Sequence, residues 1–295
     1  MRPAYREEPC RSALNPVWGM PFAWSLNPYM GCAHRCTFCY VRAFEARADR
    51  PSDDRYGASI RIKTNIAEVL RRELSRASWR REAVAIGAAT DPYQPAEGRY
   101  RLTRACIVEL ARAETPFSIV TRGPLVIRDV DALQDAARRV DVSVNVSVPT
   151  LDERVWRTTE PGTAPPSQRL EIVRRLVAAG IETSVAMAPI LPGLSDSTAQ
   201  LETVVRAARD AGASQIWANL LYLKPGTREH FLSALSRDWP EESTRYEELY
   251  DSRAYLPGPA VESVRRRVRE LARRHRSPRR RVIRPLEQPT QLALL

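Results

Sequence analysis

The sequence predicts an α/β fold with a parallel sheet. Short apolar runs rich in β-branched residues alternate with segments of helical periodicity along most of the 295-residue chain. The alternation repeats about every 30–35 residues, and parallel strands need a crossover helix between them. About six such units follow a cysteine-rich segment at residues 31–40. A six-unit open barrel and a doubly wound sheet both fit this pattern, and either would collect ligands at the carboxyl ends of its strands.

The individual elements follow from apolar runs, helical spacing and capping residues. The predicted strands, in chain order, lie within 59–65, 82–91, 117–121, 140–148, 182–191 and 215–223. The predicted helices lie within 66–77, 104–113, 131–139, 167–180 and 197–212. Thr103 is expected to cap the second helix. Asp129 or Asp131 is expected to open the third, and Gly180 to end the fourth.

The C-terminal part has a different pattern from the rest of the chain. After Tyr222 the periodicity is purely helical to about Arg276, and an Arg- and Pro-rich tail follows. A chain end of this composition is predicted to be poorly ordered. The predicted organisation is an N-terminal arm, an α/β domain, a helical extension and a tail, at 1–21, 22–239, 240–276 and 277–295.

Most of the positive charge lies near the C-terminus. The net charge is +11, and the stretch from Val261 to Arg284 holds eleven arginines and two glutamates. Val261, Val264, Val268 and Leu271 form one apolar stripe, which is typical of an amphipathic helix with a solvated arginine face. The same density of arginine also suits contact with a polyanion such as nucleic acid. No aromatic residues are interleaved there, so base stacking is not indicated.

Composition predicts a cytoplasmic protein. No apolar run approaches the roughly 18 residues that a membrane helix needs, and the first residues lack the apolar core of a secretory signal. Thiols in the cytoplasm stay reduced, and five cysteines are a poor basis for a disulfide framework. The clustered cysteines at residues 32–39 are therefore expected to bind metal or to take part in catalysis.

Three of the cysteines, Cys32, Cys36 and Cys39, form one motif with C-x3-C-x2-C spacing. Thiolates select zinc, copper(I) or iron–sulfur clusters. A structural zinc usually has two separated ligand pairs, and here His34 is a poorly placed candidate for a fourth ligand. A [4Fe–4S] cluster normally takes four cysteines, so three would leave one iron for a substrate or cofactor. A cluster is favoured over zinc or ordinary thiols.

The motif, with Phe38 before its last cysteine, resembles the signature of the radical S-adenosylmethionine (SAM) superfamily. The resemblance implies a partial (β/α)6 barrel of the TIM type, with the motif after the first strand and a [4Fe–4S] cluster whose fourth iron binds SAM. It also implies an external electron donor of the flavodoxin or ferredoxin type. The reduced cluster would cleave SAM to methionine and a 5′-deoxyadenosyl radical that abstracts hydrogen.

Four longer stretches narrow the resemblance to the branch related to spore photoproduct lyase, and within it to the Rv2578c family. They read NPYMGCAHRCTFCY, TDPYQPAEGRYRLTR, RTTEPGTAPPSQRL and APILPGLSD, and the similarity extends to about Trp239. The branch implies a nucleic acid or nucleotide substrate. Spore photoproduct lyases carry a hydrogen-donor cysteine just before a Ser/Thr–Asp pair, whereas this chain has Ala88 and Ala89 there. The lyase reaction itself therefore does not follow.

The same resemblance implies where SAM would be held. It places Phe38 and Tyr40 against the adenine, and Thr90, followed by Asp91, at the amino group. It places Arg122 at the carboxylate, with which a guanidinium can form a bidentate pair. Each assignment has an alternative. The two rings could only pack the loop, Asp91 could belong to a plain Asp-Pro turn, and Arg122 could be a solvated surface arginine.

Polar residues on the strand at 140–148 are further candidates for SAM contacts. Alternation puts Asn145 and Ser147 on one face of the strand, where SAM could satisfy Ser147 and, with less support, Asn145. Glu160 and Arg169 belong to the branch motif and could form a ligand contact or a structural ion pair.

Two functions follow from these observations. The first is a SAM-dependent radical enzyme. The alternative is a non-catalytic nucleic-acid-binding protein in which the thiols hold a structural zinc. Cys106 lies in an amphipathic helix and is expected to be a small core residue, so neither function uses it.

Overall fold

The computed structural model describes residues 3–276 and 282–285. Its strands are β1 (Ala4–Glu8), β2 (Leu14–Pro16), β3 (Trp24–Leu26), β4 (Tyr29–Met30), β5 (Ser59–Lys63), β6 (Val84–Ile86), β7 (Phe117–Thr121), β8 (Val142–Ser147), β9 (Glu182–Ile190) and β10 (Ile216–Leu220). The main sheet has seven strands in the order β10-β9-β8-β7-β6-β3-β2. Strands β3 and β6 to β10 are parallel, and β2 is an antiparallel edge strand. The α/β fold with a parallel sheet is confirmed.

Helices connect the parallel strands and cover the sheet. They are α1 (Val41–Arg47), α2 (Ile66–Leu74), α3 (Pro95–Tyr100), α4 (Leu102–Arg112), α5 (Val130–Ala137), α6 (Glu153–Thr159), α7 (Pro166–Ala178), α8 (Thr198–Asp210), α9 (Thr227–Asp238), α10 (Ser243–Tyr250) and α11 (Gly258–Arg274). Short 3-10 helices lie at Pro124–Asp129 and Pro240–Glu242. The core between sheet and helices is mostly aliphatic, and Cys106 is fully buried in it, which confirms its prediction as a core residue.

One predicted strand lies outside the main sheet. The segment predicted as the first unit after the cysteine motif contains β5, which forms a separate small sheet in the order β1-β5-β4. Its Ile60 and Ile62 pack with Tyr29 in a separate apolar cluster. The first parallel strand is β3, only three residues long, which is too short for an alternating pattern to mark it. The cysteine motif therefore follows the first strand of the parallel array.

The predicted helix starts are partly correct. Asp129 occupies the N-cap position of α5, without a side-chain capping bond, and Gly180 follows α7 with φ +79°. Thr103 is not the cap of α4, because the helix begins at Leu102, two residues earlier than predicted, and Arg101 occupies the N-cap position. The hydroxyl of Thr103 instead donates to the carbonyl of Pro92 at 2.6 Å, which ties the helix to the loop after β6.

The C-terminal helix covers the edge of the sheet. Val264, Val268 and Leu271 of α11 are buried, and the helix packs on β10 and α8, so its arginines lie on the outer face. The backbone N–H of Ile283 donates to the carbonyl of Gly180 at 2.8 Å, so residues 282–285 of the predicted tail contact the domain. Residues 277–281 and 286–295 of that tail lie outside the described residues. Among the described helices, none combines the length and apolarity needed to cross a bilayer.

Candidate active site at the cysteine loop

The three motif cysteines lie in the loop between β4 and α1, which we term the cysteine loop (residues 31–40). Cys32 and Cys36 are buried, and Cys39 is partly buried. Burial raises the pKa of the Cys36 and Cys39 thiols, and the charges of neighbouring thiols raise it further. The thiolate form is the metal ligand, and in this apolar setting it needs positive charge beside it. The loop is therefore a site at which three thiolates would be stabilised by bound metal.

Two glycines let neighbouring segments approach the cysteine loop closely. Gly57 has φ +77°, and a Cβ there would lie 2.3 Å from the carbonyl oxygen of Cys32. Gly162 donates its N–H to the carbonyl of His34 at 3.0 Å, and a Cβ there would lie 2.4 Å from the carbonyl oxygen of Ala33. The loop after α6 and the segment before β5 thus clamp the cysteine loop from two sides.

A buried glutamine on the next strand connection fixes the start of the loop. The Gln94 side chain donates to the carbonyl of Gly31 at 3.1 Å and to the Thr90 hydroxyl at 2.9 Å. It also accepts from the N–H of Ala33 at 3.0 Å. The Thr90 hydroxyl donates to the same Gly31 carbonyl at 2.7 Å. The sequence analysis missed Gln94, because nothing in a single sequence marks an amide whose partners lie about 60 residues away.

Asp91 joins the cysteine loop to the ends of two strands. Its carboxylate accepts from the Thr121 hydroxyl at 2.7 Å and from the N–H groups of Arg122 and Tyr93 at 2.7 and 2.9 Å. It also lies 3.2 Å from Nδ1 of His34. Burial acts to raise the pKa of Asp91, but His34 and the other donors outweigh it and lower the pKa to about 2. Asp91 is thus a buried carboxylate with a full set of donors.

His34 pairs with Asp91 and also lies beside the Cys32 thiol. Burial opposes its charged form, but Asp91 and Cys32 outweigh burial and raise the pKa of His34 to about 10. Across residues 3–276 and 282–285, no group of three or more His, Cys, Asp or Glu side chains is placed to hold a single metal ion. In a cluster each thiolate binds a different iron, so the sulfurs need not converge on one point.

Arg122 is partly buried beside Phe38 in a charge network. Its Nε donates to Glu160 at 2.6 Å and its Nη2 donates to the carbonyl of Ala188 at 3.0 Å, while its guanidinium lies 5.7 Å from the Phe38 ring centre. Burial acts to raise the pKa of Glu160, but Arg169 and Arg122 outweigh it and lower the pKa. Arg122 is not the solvated arginine of the alternative interpretation. Glu160 and Arg169, predicted to form either a ligand contact or a structural ion pair, form an ion pair in which Oε2 and Nη2 are 3.0 Å apart.

Ser147 and Asn145 lie at the carboxyl half of β8. Ser147 is buried, and its main-chain carbonyl accepts from Nη1 of Arg169 at 3.1 Å. Asn145 accepts a hydrogen bond from Ser184 on β9 and one of 3.4 Å from the Trp217 ring on β10. The polar face predicted for this strand therefore makes hydrogen bonds with side chains of β9 and β10. Ser147 lies nearer than Asn145 to the strand end where the cysteine loop sits.

Tyr40 begins a line of three aromatic rings, which we term the aromatic shelf (Tyr40, Tyr222 and Tyr255). The Tyr40 hydroxyl donates to the carbonyl of Ala88, and its ring centre lies 6.0 Å from that of Tyr222. Tyr222 stacks on Tyr255 at 5.1 Å with 17° between the planes. Tyr255 is 55% exposed, and Nζ of Lys224 lies 5.7 Å from its ring centre. The shelf runs from the last motif cysteine to solvent.

A buried arginine binds the far side of the cysteine loop. Arg42 donates from Nε to the carbonyl of Cys36 at 3.2 Å and from Nη1 to the carbonyls of Ser52 and Asp53, both at 2.7 Å. Its guanidinium lies 4.6 Å from the ring centre of Tyr56, whose hydroxyl lies 3.6 Å from Sγ of Cys39. Arginine is abundant throughout the chain, so the sequence did not single out Arg42 as a residue that holds the cysteine loop.

Comparisons with family models, curated proteins and solved structures give consistent results. The family model described as the Radical SAM superfamily matches residues 26–204. The uncharacterized protein Rv2578c of Mycobacterium tuberculosis is 41% identical over 92% of this chain and 81% of its own length. The radical SAM Nalpha-GlyT isomerase of Pseudomonas phage M6 is 27% identical over 57% of this chain and 33% of its own length. A spore photoproduct lyase structure with bound AdoMet and dinucleoside spore photoproduct aligns with a TM-score of 0.67 at 13% identity, over 92% of this chain and 79% of the other.

Proposed function

The chain belongs to the radical SAM superfamily, whose enzymes use a [4Fe–4S] cluster and SAM, and from this premise we propose that Cys32, Cys36 and Cys39 hold the cluster. One observation carries the proposal: three thiols share one loop at the carboxyl ends of parallel strands. The donor set fits, since thiolates are cluster ligands. His34, the nearest other candidate ligand, pairs with Asp91 through Nδ1, which leaves the fourth iron to SAM.

When bound, cluster and SAM supply the radical chemistry, in which one electron cleaves SAM to methionine and a 5′-deoxyadenosyl radical that abstracts hydrogen from the substrate. The protein's residues position these groups. The Thr90 hydroxyl donates to Gly31 and accepts from Gln94, which leaves one acceptor lone pair for the SAM amino group. Arg122 uses Nε and Nη2 within the protein, and we assign its remaining nitrogen to the SAM carboxylate.

The remaining site residues complete this proposal. Phe38 and Tyr40 flank Cys39 and would contact the adenine, while the Ser147 hydroxyl would face the ribose side of the barrel interior. Asp91 holds Thr121, Arg122 and His34 and so fixes the strand ends around SAM. Because these side chains bury SAM against the cluster, they would also exclude water from the radical.

The aromatic shelf favours a nucleotide or nucleic acid as the substrate. Bases stack on aromatic side chains with little sequence preference, and the stacked pair of Tyr222 and Tyr255 carries a lysine at its exposed end. Exposed arginines of α11 add positive charge for phosphate contact. The aligned lyase structures contain a dinucleoside photoproduct, which is consistent with this class. Because Ala88 and Ala89 replace the lyase cysteine, the proposal does not include the lyase reaction.

The proposal is tested by reconstitution without oxygen in the presence of iron and sulfide. We expect a brown protein with about four irons per chain. With SAM and a reductant it should form 5′-deoxyadenosine and methionine. Colourless protein that holds zinc without sulfide would contradict the proposal and support the alternative of a non-catalytic nucleic-acid-binding protein.

We propose a cytoplasmic location, where the thiols stay reduced.

Replacing Tyr255 with alanine is expected to weaken binding of single-stranded oligonucleotides about tenfold, because base stacking on one ring contributes roughly 1–3 kcal/mol. Tyr255→Phe keeps the ring and should bind like the wild type. Fluorescence anisotropy with labelled DNA and RNA oligonucleotides measures the dissociation constant, which should rise steeply with salt. Trp18→Ala serves as the control, because Trp18 is 84% exposed in the segment between β2 and β3 and does not belong to the shelf. Equal affinity of wild type and Tyr255→Ala would rule out base stacking on the shelf.

A further inference from the structure

Arg42 is a buried cation beside the cysteine loop that pairs with no carboxylate of the described residues. It is 1% exposed, and its guanidinium donates to main-chain carbonyls, namely those of Arg35, Cys36, Ser52 and Asp53. Carbonyl oxygens satisfy its N–H groups, but they do not balance its charge. Buried charges in proteins are normally paired, so the balancing charge has to come from the groups that face Arg42.

The groups that face Arg42 are two motif thiols and one phenol. The ionisable side chains that interact most strongly with its charge are Cys39, Tyr56 and Cys36, together with the like-charged Arg35. A phenol has an ordinary pKa of about 10, and burial disfavours its anion further, so Tyr56 is neutral near pH 7. The thiolates of the cysteine loop are therefore the anions for which Arg42 supplies positive charge.

Tyr56 connects Arg42 to the sulfur of Cys39. The Arg42 guanidinium lies 4.6 Å from the Tyr56 ring centre, which is a cation–π distance. The Tyr56 hydroxyl lies 3.6 Å from Sγ of Cys39. Since a metal-bound thiolate carries no hydrogen, the hydroxyl would be the donor in this contact. A cation over the ring draws electron density from the phenol and strengthens the hydroxyl as a donor, so Arg42 acts on the sulfur both directly and through Tyr56.

The position of Tyr56 is fixed by its neighbours. Tyr56 is 2% exposed, and its main-chain carbonyl accepts from Nε of Arg35 at 3.2 Å. The next residue, Gly57, packs so closely on the Cys32 carbonyl that no Cβ would fit there. The hydroxyl is therefore held at Cys39 away from water, where hydrogen bonds and charges act more strongly than in solvent.

We propose that Arg42 and Tyr56 raise the reduction potential of the cluster at Cys32, Cys36 and Cys39, an inference that rests on the proposed function. Hydrogen bonds to the sulfurs and nearby charge are among the factors that set such potentials. Reduction adds one electron to the cluster from a low-potential reductant, and no bond forms or breaks. Because the added negative charge interacts favourably with a cation and with a hydroxyl donor, both residues stabilise the reduced cluster more than the oxidised one.

The variant Tyr56→Phe tests the hydroxyl and keeps the ring. After reconstitution without oxygen, the cluster is titrated with dithionite in the presence of redox mediators, and electron paramagnetic resonance measures the reduced fraction. We expect the equilibrium constant for one-electron reduction to fall about tenfold, which lowers the midpoint potential by about 59 mV. The iron content should equal that of the wild type, because the three thiol ligands are unchanged.

A second buried tyrosine provides the matched control. Tyr246 is fully buried, and its hydroxyl donates to the carbonyl of Pro192 at 2.8 Å, outside the cysteine loop. Tyr246→Phe therefore removes a buried hydroxyl without removing a contact to a motif cysteine. Its midpoint potential and its iron content should both equal those of the wild type.

Two substitutions of Arg42 separate its charge from its hydrogen bonds. Arg42→Lys keeps the positive charge and three donors, so it should retain most of the midpoint potential. Arg42→Met removes the charge and should lower the equilibrium constant for reduction at least about tenfold, again about 59 mV. If Arg42→Met loads too little iron for a titration, the comparison of Tyr56→Phe with Tyr246→Phe decides the matter.

The outcomes separate this inference from the proposed function. A wild type that assembles no cluster overturns both. A wild type that holds the cluster, together with a Tyr56→Phe variant of the same midpoint potential, overturns the inference and leaves the proposed function intact. A Tyr56→Phe variant that loses iron, while its loaded fraction keeps the wild-type potential, shows that Tyr56 has only a structural role and also overturns the inference.

Discussion

Replacing Cys36 with alanine is expected to abolish cluster assembly and reductive SAM cleavage. With only two of the three proposed thiolate ligands left, one further iron would lose its protein ligand. The iron content after reconstitution should fall from about four per chain toward zero. Formation of 5′-deoxyadenosine should drop by at least about a thousandfold. Iron and sulfide analysis together with chromatography of the nucleoside product measure both effects.

A matched control comes from another buried cysteine. Cys106 lies fully buried in α4 within the aliphatic core, so Cys106→Ala removes a thiol of equal burial without touching the cysteine loop. It should cost about 1 kcal/mol of stability and leave iron content and SAM cleavage unchanged. Full SAM cleavage by Cys36→Ala, or loss of the cluster in Cys106→Ala, would each contradict the assignment of the ligands.

Replacing Asp91 with alanine is expected to produce the second-largest effect. The change leaves His34, the Thr121 hydroxyl and two backbone N–H groups without their buried acceptor. Removing one partner of a buried charged network costs about 3–5 kcal/mol, which corresponds to a melting temperature lower by about 10 °C for a chain of this size. Because the same network orients the cysteine loop, iron content should fall in parallel. Thermal scans and iron analysis test this.

Two further variants distinguish a network effect from a general loss of charge. Asp91→Asn keeps the shape but offers one acceptor oxygen in place of two, so its stability and iron content should lie between those of the wild type and Asp91→Ala. Asp135→Ala removes a carboxylate that is 58% exposed on α5 and should leave both quantities unchanged. A normal iron content in Asp91→Ala would show that the cysteine loop is held without Asp91.

Only part of the site could be predicted from the sequence. The spacing of the cysteines and the polar ends of β6, β7 and β8 are local features, and the structure places all of them at one end of the parallel array. The roles of the individual side chains are harder to predict from the sequence. Thr90 and Asp91 were predicted as SAM contacts, yet the structure shows that both also hold the cysteine loop through Gly31 and His34.

The aromatic shelf shows the limit of pattern analysis most clearly. Inspection of the basic C-terminal helix found no interleaved aromatic residues, and base stacking was therefore not indicated. The structure instead brings together Tyr40, Tyr222 and Tyr255 from three distant segments. Likewise, the Thr227 hydroxyl donates to the carbonyl of Cys39 at 3.1 Å across 188 residues. No local periodicity encodes such contacts.

The sequence alone predicted the three candidate thiolate ligands and the α/β alternation, because cysteine spacing and apolar periodicity are properties of neighbouring residues. Only the tertiary structure decided that β5 leaves the main sheet and that Gln94, Asp91 and Arg42 hold the cysteine loop. These features depend on which distant segments the sheet and its helices bring into contact. The free energy of those contacts comes from burial and from hydrogen bonds between residues far apart in the chain.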